Sequence, residues 1–296
     1  MDELDLIRLA DGFFVIAAEN NGRFPFSHGF LVTGETTAVI DAGFGHGRIG
    51  AVIKKYRPDL LIVSHSHPDH LSGAGLFAGR PILVPEIHAE AAGNVMRLSQ
   101  RFITGDAAEA WRRSAYADFD FRECVPTGTY GDGHVFDFGR IKLRAVHAPG
   151  HVDDHFCFSK SATVFFLSID IDLTGFGPWY GNPESDIRTF RASVRKVKDL
   201  EAQTIASSHR RPVSDDIEDE LAAFDAKFDR NEKLVLDLLA TPRTLDDLAD
   251  AKPFYRVHPR RETILRYFEM QMIGKHLDMM EEKRLVRRDG GVYRLA

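Results

Sequence analysis

Short apolar runs separated by turns fill the first part of the chain. Three of them predict consecutive strands, GFFVIAA, HGFLVTG and TTAVIDAG, at 12–18, 28–34 and 36–43. Ile49, Val52 and Ile53 then recur at helical spacing, and the compact run DLLIVS at 59–64 is typical of a strand that is buried on both faces. Residues 36–64 are therefore predicted to form a β-α-β unit.

Strands and helices continue to alternate as far as about residue 213. The predicted elements are a strand at 80–85, a mainly helical segment at 86–117, a hairpin at 134–150 that turns at Gly139, two strands within 155–170, a helix at 186–200 and a strand at 203–209. This mixture predicts a layered α/β sandwich.

The pattern changes after residue 213, where helical spacing dominates. Helices are predicted at 215–240, at 244–251 with Thr244 as N-cap, and at 262–285 with a break at Gly274, before a hairpin about Asp289-Gly290-Gly291. We therefore predict two domains, residues 1–213 and a small, mainly helical, winged-helix-like domain over 214–296.

Charge and composition narrow the range of partners. The net charge is −6, and residues 214–296 hold fifteen Lys or Arg against eighteen Asp or Glu, so neither nucleic acid nor an anionic membrane is favoured. Two distant cysteines make no disulfide framework. The acidic N-terminus and the lack of any run near the roughly 18 apolar residues of a membrane span predict a cytoplasmic protein. A homodimer is left open.

Metal-binding side chains follow several predicted strands at the point where each ends. The segment HSHPDH follows the strand at 59–64, and His151, Asp170 and His209 each follow a later strand. Sites in layered α/β folds collect beyond the carboxyl ends of strands. Imidazole nitrogen and carboxylate oxygen are ligands for zinc and iron. The sequence therefore predicts a metal site at one edge of the sheets.

The spacing within HSHPDH suggests two ions. His65 and His67 lie two residues apart on an extended turn and can bind one ion from the same side. Pro68 then begins a helix, whose first turn directs Asp69 and His70 towards a second ion.

These segments resemble the motifs of the metallo-β-lactamase superfamily of hydrolases. HSHPDH matches its H-x-H-x-D-H signature, and four further segments resemble its other motifs, in the order AVIDAG, APGH, FLSID and SSHRRP, at 38–43, 148–151, 166–170 and 207–212. The resemblance covers residues 12–213. It implies a four-layer αββα sandwich, and a winged-helix-like appendage occurs in some members.

The resemblance also implies a ligand set. One metal would be held by His65, His67 and His151, and the other by Asp69, His70 and His209, with Asp170 bridging them. Zinc is the first choice, with iron or manganese as alternatives. The sequence departs from the family where Ile169 and Arg210 replace frequent glycines, and Asp172 competes with Asp170 for the bridging role.

Two divalent ions can lower the pKa of a shared water enough to give hydroxide near neutral pH. The predicted function is hydrolysis of a small ester, thioester or lactone-like substrate, with Asp69 helping to move the proton. The alternatives are a phosphodiesterase or ribonuclease, a mono-iron sulfur dioxygenase, and a binding module with a vestigial site.

Four further features are candidates for a role at the site, and each also has a purely structural interpretation. Tyr180 donates to an oxyanion or is simply buried in a Gly/Pro-rich turn, and His155 contacts substrate or hydrogen-bonds near the ligands. Asp41 orients a ligand histidine or only shapes a turn. Residues 100–121 are interpreted as an insertion that caps the mouth of the site.

Overall fold

Two facing β-sheets form the centre of the fold. The structure is a computed structural model that describes residues 4–160, 165–256 and 262–296. The first sheet has seven strands in chain order, β1 to β7: Leu6–Ala10, Phe13–Ile16, Gly29–Thr33, Thr37–Ile40, Leu60–Ile62, Ile82–Pro85 and Gly128–Tyr130. Strands β1 to β4 are antiparallel, and β4 to β7 are parallel.

The second sheet has five strands. They are β8 to β12, at Val135–Asp137, Lys142–His147, Phe156–Lys160, Phe166–Ile169 and Ile205–Ser207. Their order in the sheet is β12-β11-β10-β9-β8, antiparallel except for the parallel pair of β11 and β12. The register shifts near the end of β11, and Ile169 has φ 53°. The chain therefore turns sharply at the point where Asp170 follows.

Eight α-helices in the described part of the chain surround the sheets. They are α1 to α8, at His46–Tyr56, Pro68–Leu71, Val95–Phe102, Ala107–Phe119, Ile187–Lys198, Ile217–Leu238, Leu245–Asp250 and Glu262–Glu282. Two short 3₁₀ helices lie at Glu19–Gly22 and Ala74–Phe77. Within the described ranges, none of the helices combines the length and the apolar character needed to cross a lipid bilayer.

Side chains alternate between the faces of each strand and so build three hydrophobic layers. Phe13 and Val15 of β2 point between the sheets, where they join β10 side chains such as Phe158. Ile16 points outward and packs with α1. On the other side, the outer face of the second sheet packs against α5 and α6. This is the predicted four-layer αββα sandwich.

The C-terminal segment is mainly helical, as predicted. After α6 a three-stranded sheet forms from β13, β14 and β15, at Arg243–Thr244, Val286–Asp289 and Val292–Leu295. Thr244 caps α7, as expected, and forms a capping box with Asp247. The domain boundary at residue 213 stays a prediction.

Helix α8 connects the outer layers of the fold. Its first turns place Ile264 and Phe268 in the hydrophobic layer outside the first sheet, and its later turns place Met272 and Leu277 in the layer outside the second. The helix runs without a break through Gly274, so the predicted interruption there was wrong. A helical glycine costs only about 1 kcal/mol, which packing on both sides readily offsets.

Candidate metal centre

The predicted ligands converge at one end of the sandwich. They come from the segment between β5 and the end of α2, from the turn after β9, and from the residues that follow β11 and β12. The ligand atoms form two groups, and within each group they all lie within 4.8 Å of one another: His65, His67, His151 and Asp170 in the first, and Asp69, His70 and His209 in the second.

The first group has the dimensions of a tetrahedral ion site. His67 Nδ1 lies 3.0 Å from His65 Nε2 and 2.9 Å from His151 Nε2. Asp170 Oδ2 lies 3.1 Å from His151 Nε2 and 3.6 Å from His65 Nε2. Around a zinc ion with bonds of 2.0–2.1 Å, tetrahedral ligand atoms lie about 3.3 Å apart. The four atoms are therefore spaced to surround one small cation.

The second group shares Asp170 with the first. Asp69 Oδ2 lies 3.4 Å from His209 Nε2 and 3.8 Å from His70 Nε2. Asp170 Oδ1 lies 3.2 Å from His70 Nε2, whereas its Oδ2 faces the first group. Asp170 thus stands between the two groups. Asp172 belongs to neither group and instead accepts the backbone N–H of Thr174.

Asp41 controls the protonation of two ligand histidines. Its Oδ1 accepts the Ser64 backbone N–H at 2.7 Å, and its Oδ2 accepts both the Ser64 hydroxyl at 2.7 Å and His70 Nδ1–H at 2.9 Å. Because the Ser64 hydroxyl donates its hydrogen bond to Asp41, its Oγ acts as the acceptor for His65 Nδ1–H at 3.0 Å. The Nε2 lone pairs of His65 and His70 are left facing the two groups.

Backbone carbonyls fix two further rings in the same way. His151 Nδ1 lies 2.8 Å from the Trp179 carbonyl oxygen, and His209 Nδ1 lies 2.7 Å from that of Gly22. A carbonyl only accepts, so each Nδ1 carries the proton and each Nε2 lone pair points into its group.

His67 is held in the opposite sense, with Nδ1 inward. Its Nε2 lies 2.7 Å from the side-chain amide nitrogen of Asn182, which is buried. A half-turn of the amide brings its oxygen to the same place, where it accepts Nε2–H and leaves the Nδ1 lone pair free. Asn182 was not predicted from the sequence, although it closes the Gly/Pro-rich segment that follows Asp170.

Two buried polar atoms at the second group have no hydrogen-bond partner and show whether a metal would fit there. His70 Nε2 and Asp170 Oδ1 lie 3.2 Å apart without hydrogen-bond geometry, and both lack a partner within the described residues. With the His70 proton on Nδ1, both atoms are acceptors, and burying two unpaired acceptors is costly. A cation between them removes this cost. The donor set therefore fits a divalent metal site.

In the protein without metal, the pKa values show which group of side chains attracts positive charge. Burial, with His70 and His151 nearby, lowers the pKa values of His65 and His67 well below the ordinary range. Burial alone also lowers the pKa of His70, but Asp170 and Asp41 outweigh it and raise the value to about 10. The second group thus needs positive charge, supplied by a proton or by a metal.

A largely apolar cavity of about 410 Å³ opens onto both groups. His67, Asp69, His151, Asp170 and His209 lie at its floor. Its walls are mainly aromatic or aliphatic and come from α4, from α8 and from loops, including Trp111, Phe119, Phe176, Trp179, Leu265 and Phe268. Part of the predicted mouth-capping segment, residues 100–121, therefore does border the site.

Tyr180 does not reach this cavity, so its predicted contact with substrate was wrong. Its side chain is fully buried in the core beneath α6 and α8. Its hydroxyl lies 2.8 Å from His276 Nε2 and accepts a hydrogen bond from Asn231. The preceding residue, Trp179, faces the cavity instead.

His155 has a supporting position rather than a place on the cavity wall. It is fully buried, and its Nδ1 lies 2.8 Å from the Ala148 carbonyl oxygen. Its Nε2 accepts the backbone N–H of Asp170 at 3.1 Å. Both ring nitrogens are therefore in use, and the ring holds the backbone of the residue that lies between the two groups.

A buried ion-pair network supports the loop between the first two histidines. Ser66 Oγ donates to Asp154, whose other oxygen accepts from Arg101 Nη2 at 2.6 Å. Arg101 Nε donates in turn to Glu184 at 2.8 Å. Ser66 belongs to HSHPDH, but its three partners lie far from it in the sequence and in no motif, so the network could not be predicted from the sequence.

Known proteins share the fold, and one family model matches most of the sequence. The family model described as the metallo-beta-lactamase superfamily matches residues 23–209, well over half of the chain. A metallo-beta-lactamase family protein from Thermus thermophilus has TM-score 0.76 and 20% identity, covering 98% of this chain and 100% of its own. A beta-lactamase domain protein from Burkholderia ambifaria has TM-score 0.74 and 17% identity, covering 99% and 94%.

Two fungal proteins are similar over shorter segments. Both are named atrochrysone carboxyl ACP thioesterase. The one from Pseudocercospora fijiensis (strain CIRAD86) is 33% identical over 109 residues, 37% of this chain and 31% of the relative. The one from Claviceps purpurea (strain 20.1) is 32% identical over 84 residues, 28% and 26%. The matches thus span less than a third of either relative.

The sandwich and the paired ligand groups define the class of protein as a metallo-β-lactamase-type fold with a candidate divalent metal site. The chain belongs to the metallo-beta-lactamase superfamily.

Proposed function

We propose that this protein is a two-metal hydrolase that cleaves a thioester or ester with an apolar acyl group. In this proposal, one ion is held by His65, His67 and His151, the other by Asp69, His70 and His209, and Asp170 bridges them. Zinc is the first candidate for both ions, with iron or manganese as alternatives, because the set combines imidazole nitrogen with carboxylate oxygen.

The observation that supports this substrate class is the aromatic cavity above the ligand groups. An apolar acyl chain placed there loses contact with water and brings its carbonyl carbon to the floor, beside His67 and Asp170. The names of the two fungal relatives favour a thioester among the compatible bonds. A lactone-like ester with an apolar ring is the next candidate.

In the proposed hydrolysis, residues of this chain position the metal site, exclude water and move the proton. Bound cations would supply positive charge that polarises water and the substrate carbonyl. Asp170 lies between the two ligand groups, and Trp179 and the first turns of α8 line the cavity and keep bulk water from the acyl group. The Asp69 carboxylate at the cavity floor takes the proton of the attacking water. As the carbon–sulfur bond breaks, that proton passes to the leaving sulfur.

The two catalytic alternatives have less support. A nuclease needs cations along its substrate path, but the cavity wall includes Arg23 as its single Lys or Arg among the described residues, amid aromatic rings. A mono-iron dioxygenase needs one ligand group, whereas Asp69, His70 and His209 form a second.

A substrate panel combined with metal analysis tests the proposal. Wild-type protein is expected to bind two equivalents of metal and to hydrolyse acyl thioesters faster as the acyl chain becomes longer and more apolar. His67→Ala and Asp170→Ala are expected to lose metal and activity together. One equivalent or none in the wild type, or a preference for a phosphodiester such as bis(p-nitrophenyl) phosphate, would contradict the proposal.

A cytoplasmic location and a homodimer also remain proposals. Native mass spectrometry of purified protein measures the metal content and the mass of the assembly in one experiment. Fractionation of the source cells tests the location.

A further inference from the structure

A second pocket, of about 310 Å³, lies beside the apolar cavity. It forms between α6 and the segment that leads from α7 towards α8. Its polar lining comes chiefly from Lys227, Arg230, Asn231 and Arg256. In contrast to the first cavity, this pocket is rich in hydrogen-bond donors.

The charge of the pocket is not balanced from within. Three cations line it, and none of the described lining residues is an acid. Arg230 and Arg256 are exposed and have no ion-pair partner in the described ranges. Lys233, one turn further along α6, is by contrast paired with Asp237 at 2.7 Å. The pocket therefore attracts an anion, whereas the neighbouring helix surface does not.

Lys227 has a structural role as well as a charge. Its Nζ donates to the carbonyl oxygens of Thr174 and Gly175 at 2.9 Å and 2.6 Å, which holds the loop between the two cavities. One N–H remains for a ligand. Burial lowers the pKa of Lys227, Asp172 opposes this shift, and Arg230 adds to it.

The two cavities share a wall. Phe176 and Tyr255 line both, with ring centroids 5.6 Å apart. Trp179 Nε1 donates to the Tyr255 hydroxyl, and the Trp179 ring centroid lies 5.3 Å from that of His67. One layer of aromatic side chains thus separates the cationic pocket from the ligand histidines, and a ligand with an acyl group in the cavity can extend its other end over this layer.

We propose that the pocket binds the phosphate of the carrier half of a thioester substrate, while the acyl half occupies the apolar cavity. This inference rests on the proposed thioesterase function. The shared chemistry is a pantetheine 4′-phosphate arm, which coenzyme A and acyl carrier proteins both present. Guanidinium groups suit phosphate because they offer several N–H donors in a fixed plane.

The test compares two thioesters with the same acyl group, one on pantetheine 4′-phosphate and one on pantetheine without phosphate. Wild-type kcat/KM is expected to be higher for the phosphorylated substrate by about tenfold, the effect of one charge-assisted hydrogen bond. Arg230→Gln and Arg256→Gln are expected to reduce this preference while leaving kcat/KM for the neutral thioester unchanged. Lys233→Gln, the matched loss of a paired cation on α6, is expected to keep it.

Equal kcat/KM values for the two substrates in the wild type would overturn the inference, as would a preference that survives both arginine variants. Parallel assays with an acyl-coenzyme A and an acyl carrier protein bearing the same acyl group identify which source of the arm is preferred.

Calorimetric titration separates failure of the pocket from failure of the proposed function. The probes are unacylated pantetheine 4′-phosphate and unacylated pantetheine, neither of which needs hydrolysis. Tighter binding of the phosphorylated probe, weakened by Arg230→Gln, supports the pocket even if no thioester is cleaved. Equal binding of both probes refutes it even if thioesters are cleaved.

Discussion

Replacing Asp41 by asparagine tests how the protein sets the protonation of its ligands. The change keeps the shape of the side chain but turns one acceptor into a donor. If the new NH₂ takes the place of Oδ2, it donates to His70 Nδ1 and forces the ring proton onto Nε2, the atom that faces the second group. If it takes the place of Oδ1, it meets the Ser64 N–H, donor against donor.

The disturbance extends to the first group through one hydroxyl. When the group at the Oδ2 position donates, Ser64 Oγ accepts from the introduced amide and turns its own proton towards His65 Nδ1. That ring then also favours a proton on Nε2. Loss of such an outer hydrogen bond weakens metal binding by about 10–100-fold, or about 1.4–2.7 kcal/mol.

The assay is competition for zinc between the metal-free protein and a chromophoric chelator of known affinity. Asp41→Asn is expected to weaken the second binding step by this factor and the first step by less. Asp172→Asn is the matched control, since that carboxyl lies in the same cavity but in neither ligand group. Unchanged affinity of Asp41→Asn at both steps would refute the argument that Asp41 fixes the ligand tautomers.

Three further changes probe the core, the ligand loop and the cavity. Burial lowers the pKa of His276 to about 3, so its contribution to stability is complete above pH 6.5 and is lost as the pH falls towards 3. Chemical denaturation should show that the free energy of unfolding attributable to this group falls by about 2 kcal/mol between neutral pH and pH 5. The fall should be smaller in His276→Gln, whose side chain still offers Tyr180 a hydrogen-bond partner. Gly43→Ala would place Cβ 1.3 Å from the Asp69 carbonyl oxygen, so both the Tm and the metal content of this variant should fall. A variant that melts at the wild-type Tm and holds as much metal as the wild type would contradict this. Leu265→Ala should raise KM by about tenfold for a long acyl chain but not for acetyl, measured by steady-state kinetics, and an equal effect on both would argue against an acyl site there.

The convergence of the seven candidate ligands could be predicted because each is signalled locally. HSHPDH lies in one continuous segment, and His151, Asp170 and His209 each follow an apolar run that ends in a turn or a polar residue. Strand ends in such folds meet at one edge, so the pattern along the chain predicted a metal site there, and the resemblance to the superfamily completed the set of seven residues. The alternation of strands and helices predicted a layered α/β sandwich, and the resemblance implied its four layers.

What the sequence did not reveal depends on packing between distant segments. Strand β1 was missed because its residues are only half-buried at a sheet edge, and β7 because it is three residues long and begins with glycine. Trp179 and Tyr180 point in different directions, and no periodicity in that loop tells which one faces the cavity. The contact between His67 and Asn182 joins residues 115 positions apart.

Helix α8 begins in the cavity wall and ends among the side chains that anchor the C-terminal segment. The same helix therefore shapes the cavity and attaches that segment to the sandwich. If the proposed function holds, substitutions in its first two turns change the preferred acyl group while every predicted metal ligand stays in place. Cutting the chain at residue 213 would remove α8 and open that wall to solvent, so the cavity depends on the C-terminal helices as well as on the sandwich.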